Sequence, residues 1–250
     1  LILCNKGNAF PLGKSYTELD EKNYIHLEKF LDTTKANLFF AKGVILVEGW
    51  AEEILIPSIA KAMGIDLTAK GVSVVNIGGV GFQHYVDIFL RKKEPHMLIP
   101  VAVITDSDVR TYEKVGEDYN PKPPKALKDE IANKLKEINE KSNQKVKYYA
   151  AEQWTLEYSI FKSKKLTSSF QIHAKAIHTK TPWDSNFELE LAKKLINQGL
   201  KKTEIAYHLA HELDDEMNQN ESERTLNLHE ADSTDSIYYL IEAIRYVTNS

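Results

Sequence analysis

A single cysteine, Cys4, stands in 250 residues, so the chain can form no intramolecular disulfide and no cysteine-based zinc site. Sparse cysteine suits a reducing compartment, and the chain reads as cytoplasmic. No apolar run approaches the roughly 20 residues needed to cross a bilayer, so no membrane partner is expected. The first residues, "LILCNKG", lack the basic, apolar and small-residue order of a signal peptide. They also lack an initiator methionine, which predicts a fragment of something longer. Excess positive charge is missing as well. With a formal net charge of -4, contact with nucleic acid must come from local patches or from metal ions held by acids. Internal repeats and low-complexity tracts are not found.

What is present is globular: 42% hydrophobic and 27% charged residues suit one large domain or two smaller ones. Residues 17–40 carry Tyr24, Leu27, Leu31 and Leu38 at mostly helical spacing, which predicts a lead-in helix within an N-terminal segment of residues 1–40. From residue 43 the pattern alternates. "GVILV", "VSVVNI", "LIPVAVIT" and "KVKYYA" read as strands, and "AEEILIPSIAKAMG", "FQHYVDIFLRK" and the stretch with Leu127, Ile131, Leu135 and Ile138 read as helices. Uniformly apolar strands separated by amphipathic helices predict an α/β domain over residues 41–155, with a mainly parallel four-stranded sheet covered on both faces. "YNPKPPK" reads as a loop. The lysines between Lys122 and Lys147 alternate with acids and read as a solvated face. Residues 156–250 lose the strand signal, and "NFELELAKKLINQG", "KTEIAYHLAHELDDEM" and "TDSIYYLIEAIRYV" predict a helical domain or extension.

Open α/β sheets place their chemistry at the carboxyl ends of strands, and two such ends here are acidic. Glu48 follows "VILV", and Asp106 and Asp108 follow "VAVI" in "TDSD". Glu52 lies four residues beyond Glu48, about one helical turn, and can point back to the same crevice. Converging carboxylates repel unless cations compensate, and an all-oxygen ligand set favours Mg²⁺ or Mn²⁺ over zinc. Favourable placement of Glu48 and Glu52 at a helix N-terminus explains the first pair alone; it leaves the second pair unexplained. Ser107 reads as the small residue of a tight turn, with Thr105 beside it as a hydrogen-bonding hydroxyl. Glu53 reads as facing solvent, His84 as structural, and His208 and His211 as a surface pair. Trp50 and Trp154 flank the acidic motifs, either packed or free to stack on unpaired bases.

The order Glu48-Gly49, Gly78-Gly79, Asp106-x-Asp108 resembles the Toprim domain, the metal-binding α/β fold of topoisomerases, primases and certain nucleases. Within that superfamily "LVEGWAEEILIP", with Glu52 and Pro57, is similar to the first motif of the OLD (overcoming lysogenization defect) family of nucleases. "QWTLEYSI" resembles a later motif whose acid joins a second metal, which points to Glu157. "KTEIAYHLA" resembles the family's late lysine motif and points to Lys202, with Lys201 the neighbouring register. The resemblance implies a metal-dependent DNA endonuclease that nicks or cuts both strands, with Glu48, Asp106 and Asp108 holding one of two Mg²⁺ or Mn²⁺ ions and Glu52 and Glu157 helping to hold the other. Lys202, Glu48 and Asp108 would carry the chemistry. It further implies an ABC-type ATPase domain N-terminal to this region, a homo-oligomer formed through that domain, and a role in anti-phage defence. "GNAFPLGKS" is superficially similar to a phosphate-binding loop, but five residues separate Gly7 from Gly13 where four are required, so no ATP is expected on this chain. Two other classes stay open: a haloacid-dehalogenase-type phosphatase, which shares Asp-x-Asp, and a Toprim that binds DNA without cutting it.

Overall fold

A computed structural model describes residues 2–5, 7–30, 35–79, 81–219, 226 and 228–249. Strands β1 (Ile2–Asn5) and β2 (Asn8–Pro11) form an antiparallel hairpin. Helix α1 (Glu21–Phe30) and a 3-10 turn at Lys35–Phe39 occupy the expected lead-in helix. Leu27 and Leu38 are buried, while Leu31 lies outside the described residues. The α/β unit follows as β3 (Gly43–Val47), α2 (Trp50–Ala62), α3 (Leu67–Lys70), β4 (Val72–Asn76), α4 (Gln83–Val86) and β5 (Val101–Thr105). A hairpin of β6 (Tyr112–Val115) and β7 (Asp118–Pro121) comes next, then α5 (Pro124–Asn139) and β8 (Val146–Ala150). Helices α6 (Leu156–Lys162), α7 (Thr167–Ile177), α8 (Phe187–Ile196), α9 (Lys202–Met217) and α10 (Tyr238–Thr248) complete the chain.

The central sheet has the order β4-β3-β5-β8 and is parallel throughout, as the apolar strands predict. Burial on both faces is visible within β3. Val44 and Leu46 join one core, with the β1–β2 hairpin, α1 and the segment after α4, whereas Ile45 and Val47 join the other. All four are fully buried, and each is worth about 1.5–3 kcal/mol relative to exposure. The second core is built by α2 and by the helices after residue 155, with α9 lying along α2 and α10 against β3, β5 and β8. Packing is therefore continuous across residue 155. Val247 at the end of α10 sits against Gly43 at the start of β3, so α10 runs antiparallel to the strands. Its first residues thus reach the strands' carboxyl ends.

Two stretches depart from expectation. "YNPKPPK" enters β7, paired with β6 around Gly116 (φ 64°); both strands are largely exposed and carry no apolar alternation to announce them. "FQHYVDIFLRK" is helical only over Gln83–Val86 and then continues in tight turns, Ile88 N–H to Tyr85 C=O and Phe89 N–H to Val86 C=O. Residues 85–91 are buried throughout. Asp87 accepts from Asn23 Nδ2 at 2.7 Å, and the backbone of Arg91 is taken at both groups by the Gln144 amide, at 3.1 and 2.8 Å. Partners distant in sequence thus replace the helix ladder. His84 also bonds Asn23, through Nδ1 at 2.6 Å, in keeping with its structural reading.

Candidate active site

The register Leu46↔Val103 carries Glu48 and Thr105 to neighbouring strand tips. Thr105 Oγ1 donates to Glu48 Oε1 at 2.5 Å. The Gly78-Gly79 turn closes over the same tip: both glycines have positive φ (65° and 72°), which side chains disfavour, and Gly79 N–H donates to the Glu48 carbonyl at 3.2 Å. Gly49 is the residue before α2, and a Cβ there would stand 3.2 Å from Glu52 Oε2. Glycine thus leaves room for the Glu52 carboxylate to fold back over its own helix N-terminus. Glu53 does not simply face solvent; it accepts from Asn76 Nδ2 at 3.0 Å and so ties α2 to the tip of β4.

Asp106 is half-buried, and its Oδ1 accepts from the Leu156 N–H at 2.9 Å, the first residue of α6. Burial raises its pKa well above the usual carboxylate range, and Glu157, Glu52 and Glu48 add to the rise while Lys202 opposes it. Glu52 is raised in the same way, by burial first and then by Glu157. Glu157, 2% exposed, sits in the first turn of α6 behind the Thr155 cap. Lys202 Nζ lies 2.9 Å from Glu157 Oε2, although neither Glu157 oxygen has a hydrogen bond of normal angle. This contact is charge pairing more than directed bonding. Burial pulls the Lys202 pKa down, but Glu157, Asp106 and Glu52 outweigh it and hold the ammonium above the ordinary lysine value. Lys201 faces elsewhere, paired with Glu204 at 2.9 Å.

Glu48, Glu52, Asp106, Glu157 and Lys202 therefore act on one another from β3, α2, β5, α6 and α9. Asp108 does not point into this group with them. It is exposed, in left-handed backbone (φ 58°), and borders a cavity whose other wall is α5, with Glu130, Asn133, Lys134 and Glu137. Its loop is fixed there by Asp108 N–H to Trp154 C=O and Trp154 N–H to Val109 C=O, both 3.0 Å. Ser107, 1% exposed, donates to the Glu152 carbonyl at 3.3 Å, which is the work of a turn residue. Among the described residues, no three acid, histidine or cysteine side chains stand close enough to enclose an ion as they are.

The two flanking tryptophans separate. Trp154 is buried against Tyr158 (centroids 5.6 Å apart), and Trp50 is 67% exposed. His211 pairs with Asp215 at 2.9 Å and His208 stacks on His173, on a face of α9 apart from the acids. One site residue escaped sequence reading. Tyr239, in the first turn of α10, buries its hydroxyl with no hydrogen-bond partner of normal geometry. Burial, then the charges of Asp106, Glu52 and Glu157, raise its pKa well above the phenol range, with the Ser159 hydroxyl tempering the rise. A tyrosine pair opening an apolar helix reads as core, and only the direction of α10 brings Tyr239 to the acids.

Residues 39–108 match the model of the overcoming lysogenization defect protein-like TOPRIM domain. Among solved structures the chain is similar to the C-terminal region of the Xanthomonas campestris pv. campestris OLD protein, at 19% identity over 85% of this chain and 95% of that one (TM-score 0.47). It is also similar to the C-terminal region of the Burkholderia pseudomallei OLD protein, at 20% identity over 84% and 98% (TM-score 0.47). A comparison with curated proteins finds no match.

Proposed function

From a chain whose residues 39–108 match the OLD-like Toprim model, we propose that it is the nuclease portion of an ATPase-nuclease and hydrolyses DNA phosphodiesters with divalent metal ions. The observation that carries this reading is the meeting of four carboxylates and one ammonium at the carboxyl end of a parallel sheet. Glu48, Glu52, Asp106 and Glu157 offer only hard oxygen donors, which suits Mg²⁺ or Mn²⁺. The raised pKa values of Asp106 and Glu52, each driven first by burial and then by the neighbouring Glu157 charge, mark a site short of positive charge. Asp108, one residue past Ser107 at the same strand exit, would complete the ligand set by turning its side chain while its backbone stays held by Trp154. Cations held there supply water activation and charge neutralisation on the leaving oxygen.

The chain's own groups do the rest. Glu48 and Asp106 are fixed by Thr105 and by the Leu156 N–H, so their carboxylates enter the site already oriented. Lys202 balances Glu157 at rest, and its mobile point charge is suited to phosphate charge that grows in the transition state. The match spans both Glu48 and the Asp106–Asp108 pair, and the phosphatase alternative leaves Glu48 without a purpose. An ABC-type ATPase domain N-terminal to this region, which would also assemble the oligomer, belongs to the same proposal. Among the described residues no helix is long and apolar enough to cross a membrane. The test is cleavage of supercoiled plasmid with Mg²⁺, Mn²⁺ or EDTA, comparing the parent chain with Glu48→Ala. Metal-dependent nicking that is lost in Glu48→Ala supports the reading, and DNA binding without cutting in either metal would establish a non-catalytic Toprim instead.

A further inference from the structure

Trp50 is the first residue of α2 and follows Glu48 by two positions. The residue is 67% exposed, whereas the other two tryptophans, Trp154 and Trp183, are each 4% exposed. A tryptophan is normally core or interface material, and this exposed one opens the helix that follows the acidic tip of β3. Helix α2 does not need it there: the buried face of α2 is built by Ala51, Leu55, Ile56 and Ile59, so the Trp50 side chain is surplus to folding. The Gly78-Gly79 turn that closes over the Glu48 tip carries no side chain to cover it.

We propose that Trp50 is a specificity-determining residue that stacks on an unpaired base beside the scissile phosphate, so that the preferred substrate is single-stranded or locally melted DNA. The proposal rests on the nuclease reading above. Two residues span at most about 7 Å, and successive nucleotides of a stacked strand are about 3.4 Å apart. A ring at residue 50 is therefore within reach of a base one or two nucleotides from a phosphate held at Glu48. A duplex offers no free base face to that ring, and a single strand does. Stacking is tolerant of sequence because every base has a π-face; the residue would choose strand state, not sequence.

The test uses the full chain in Ca²⁺ with two probes, a short oligothymidine and a blunt-ended hairpin duplex. Because Trp50 is the exposed tryptophan, the oligothymidine should quench the parent's tryptophan emission and leave that of Trp50→Ala unchanged. Trp50→Ala should bind the oligothymidine roughly 5- to 100-fold more weakly, bind the duplex within twofold of the parent, and recover most of the loss as Trp50→Phe. Equal losses on both probes, or quenching that survives in Trp50→Ala, overturns the stacking role. Plasmid nicking by the same proteins separates the two ideas: a parent that nicks while Trp50→Ala keeps its single-strand affinity sinks only this inference. A parent that neither binds nor cuts DNA sinks both.

Discussion

The acid cluster should be less stable than its neutral counterpart when no metal is bound, and Asp106→Asn tests this. Asparagine keeps an acceptor for the Leu156 N–H, now 2.9 Å from Oδ1, and removes only the charge. Two unit charges ~8 Å apart at an effective dielectric of ~20 repel by about 2 kcal/mol. Three acids, Glu157, Glu52 and Glu48, press on Asp106 and one ammonium relieves it. Solvent at the exposed Glu48 and the partly exposed Lys202 trims the surplus, so the substitution should stabilise the metal-free chain by about 1–3 kcal/mol. That is a rise in Tm of roughly 2–12 °C for a chain of this size. The pH dependence follows from linkage. A carboxyl whose folded pKa lies above its unfolded value binds more protons folded than unfolded, so the parent loses stability as pH rises from the ordinary carboxylate value through the raised one. The gain from Asp106→Asn should accordingly vanish towards pH 4 and grow as pH rises above the ordinary carboxylate value. Calorimetry or dichroism melts in EDTA from pH 4 to 8 measure it. Excess Mg²⁺ should reverse the order, stabilising the parent by about 2.7 kcal/mol at a hundredfold excess over Kd and the variant much less. A lower Tm for Asp106→Asn at pH 7 in EDTA, or a gain that ignores pH, would refute the electrostatic picture.

Other outcomes follow from the same geometry. Lys202→Ala should lower plasmid nicking by about 100-fold or more with Mn²⁺ binding retained, whereas Lys201→Ala, paired outward with Glu204, should stay within twofold of the parent. Equal effects of the two would reject the assignment. Tyr239→Phe removes a buried hydroxyl that has no hydrogen-bond partner of normal geometry, so urea melts should show it neutral or up to about 1 kcal/mol more stable; a clear loss would show that the neighbouring Ser159 hydroxyl holds it. Leu209→Ala, at a fully buried position where α9 lies along α2, should cost about 2–5 kcal/mol in denaturant titration, and nicking should fall with it because α9 carries Lys202.

The α/β architecture was readable because its signals are local. Strands buried on both faces must be apolar throughout, as "GVILV" and "VAVIT" are, and glycines at Gly78 and Gly79 announce positive φ. Segments whose backbone partners lie far away gave no such signal. The turns after Gln83–Val86 depend on Asn23 and Gln144, 64 and 53 residues distant, and the β6–β7 hairpin has little apolar content to betray it. Strand-end position and spacing brought forward Glu48, Glu52, Asp106 and Asp108, and the family resemblance added Glu157 and Lys202, yet neither could say which way each side chain turns.

That division has a physical basis. Residue type and spacing determined the parallel sheet, its acidic strand tips and the hard-oxygen character of the donors, because hydrophobic periodicity and carboxylate chemistry act within a few residues. Tertiary packing alone decided that Lys202 and not Lys201 meets Glu157, that Asp108 turns towards α5, that Trp154 is buried while Trp50 is bare, and that Tyr239 reaches the acids from the far end of the chain. Those choices are set by how helices dock on the sheet, and docking is an interaction between surfaces that no single stretch of sequence contains.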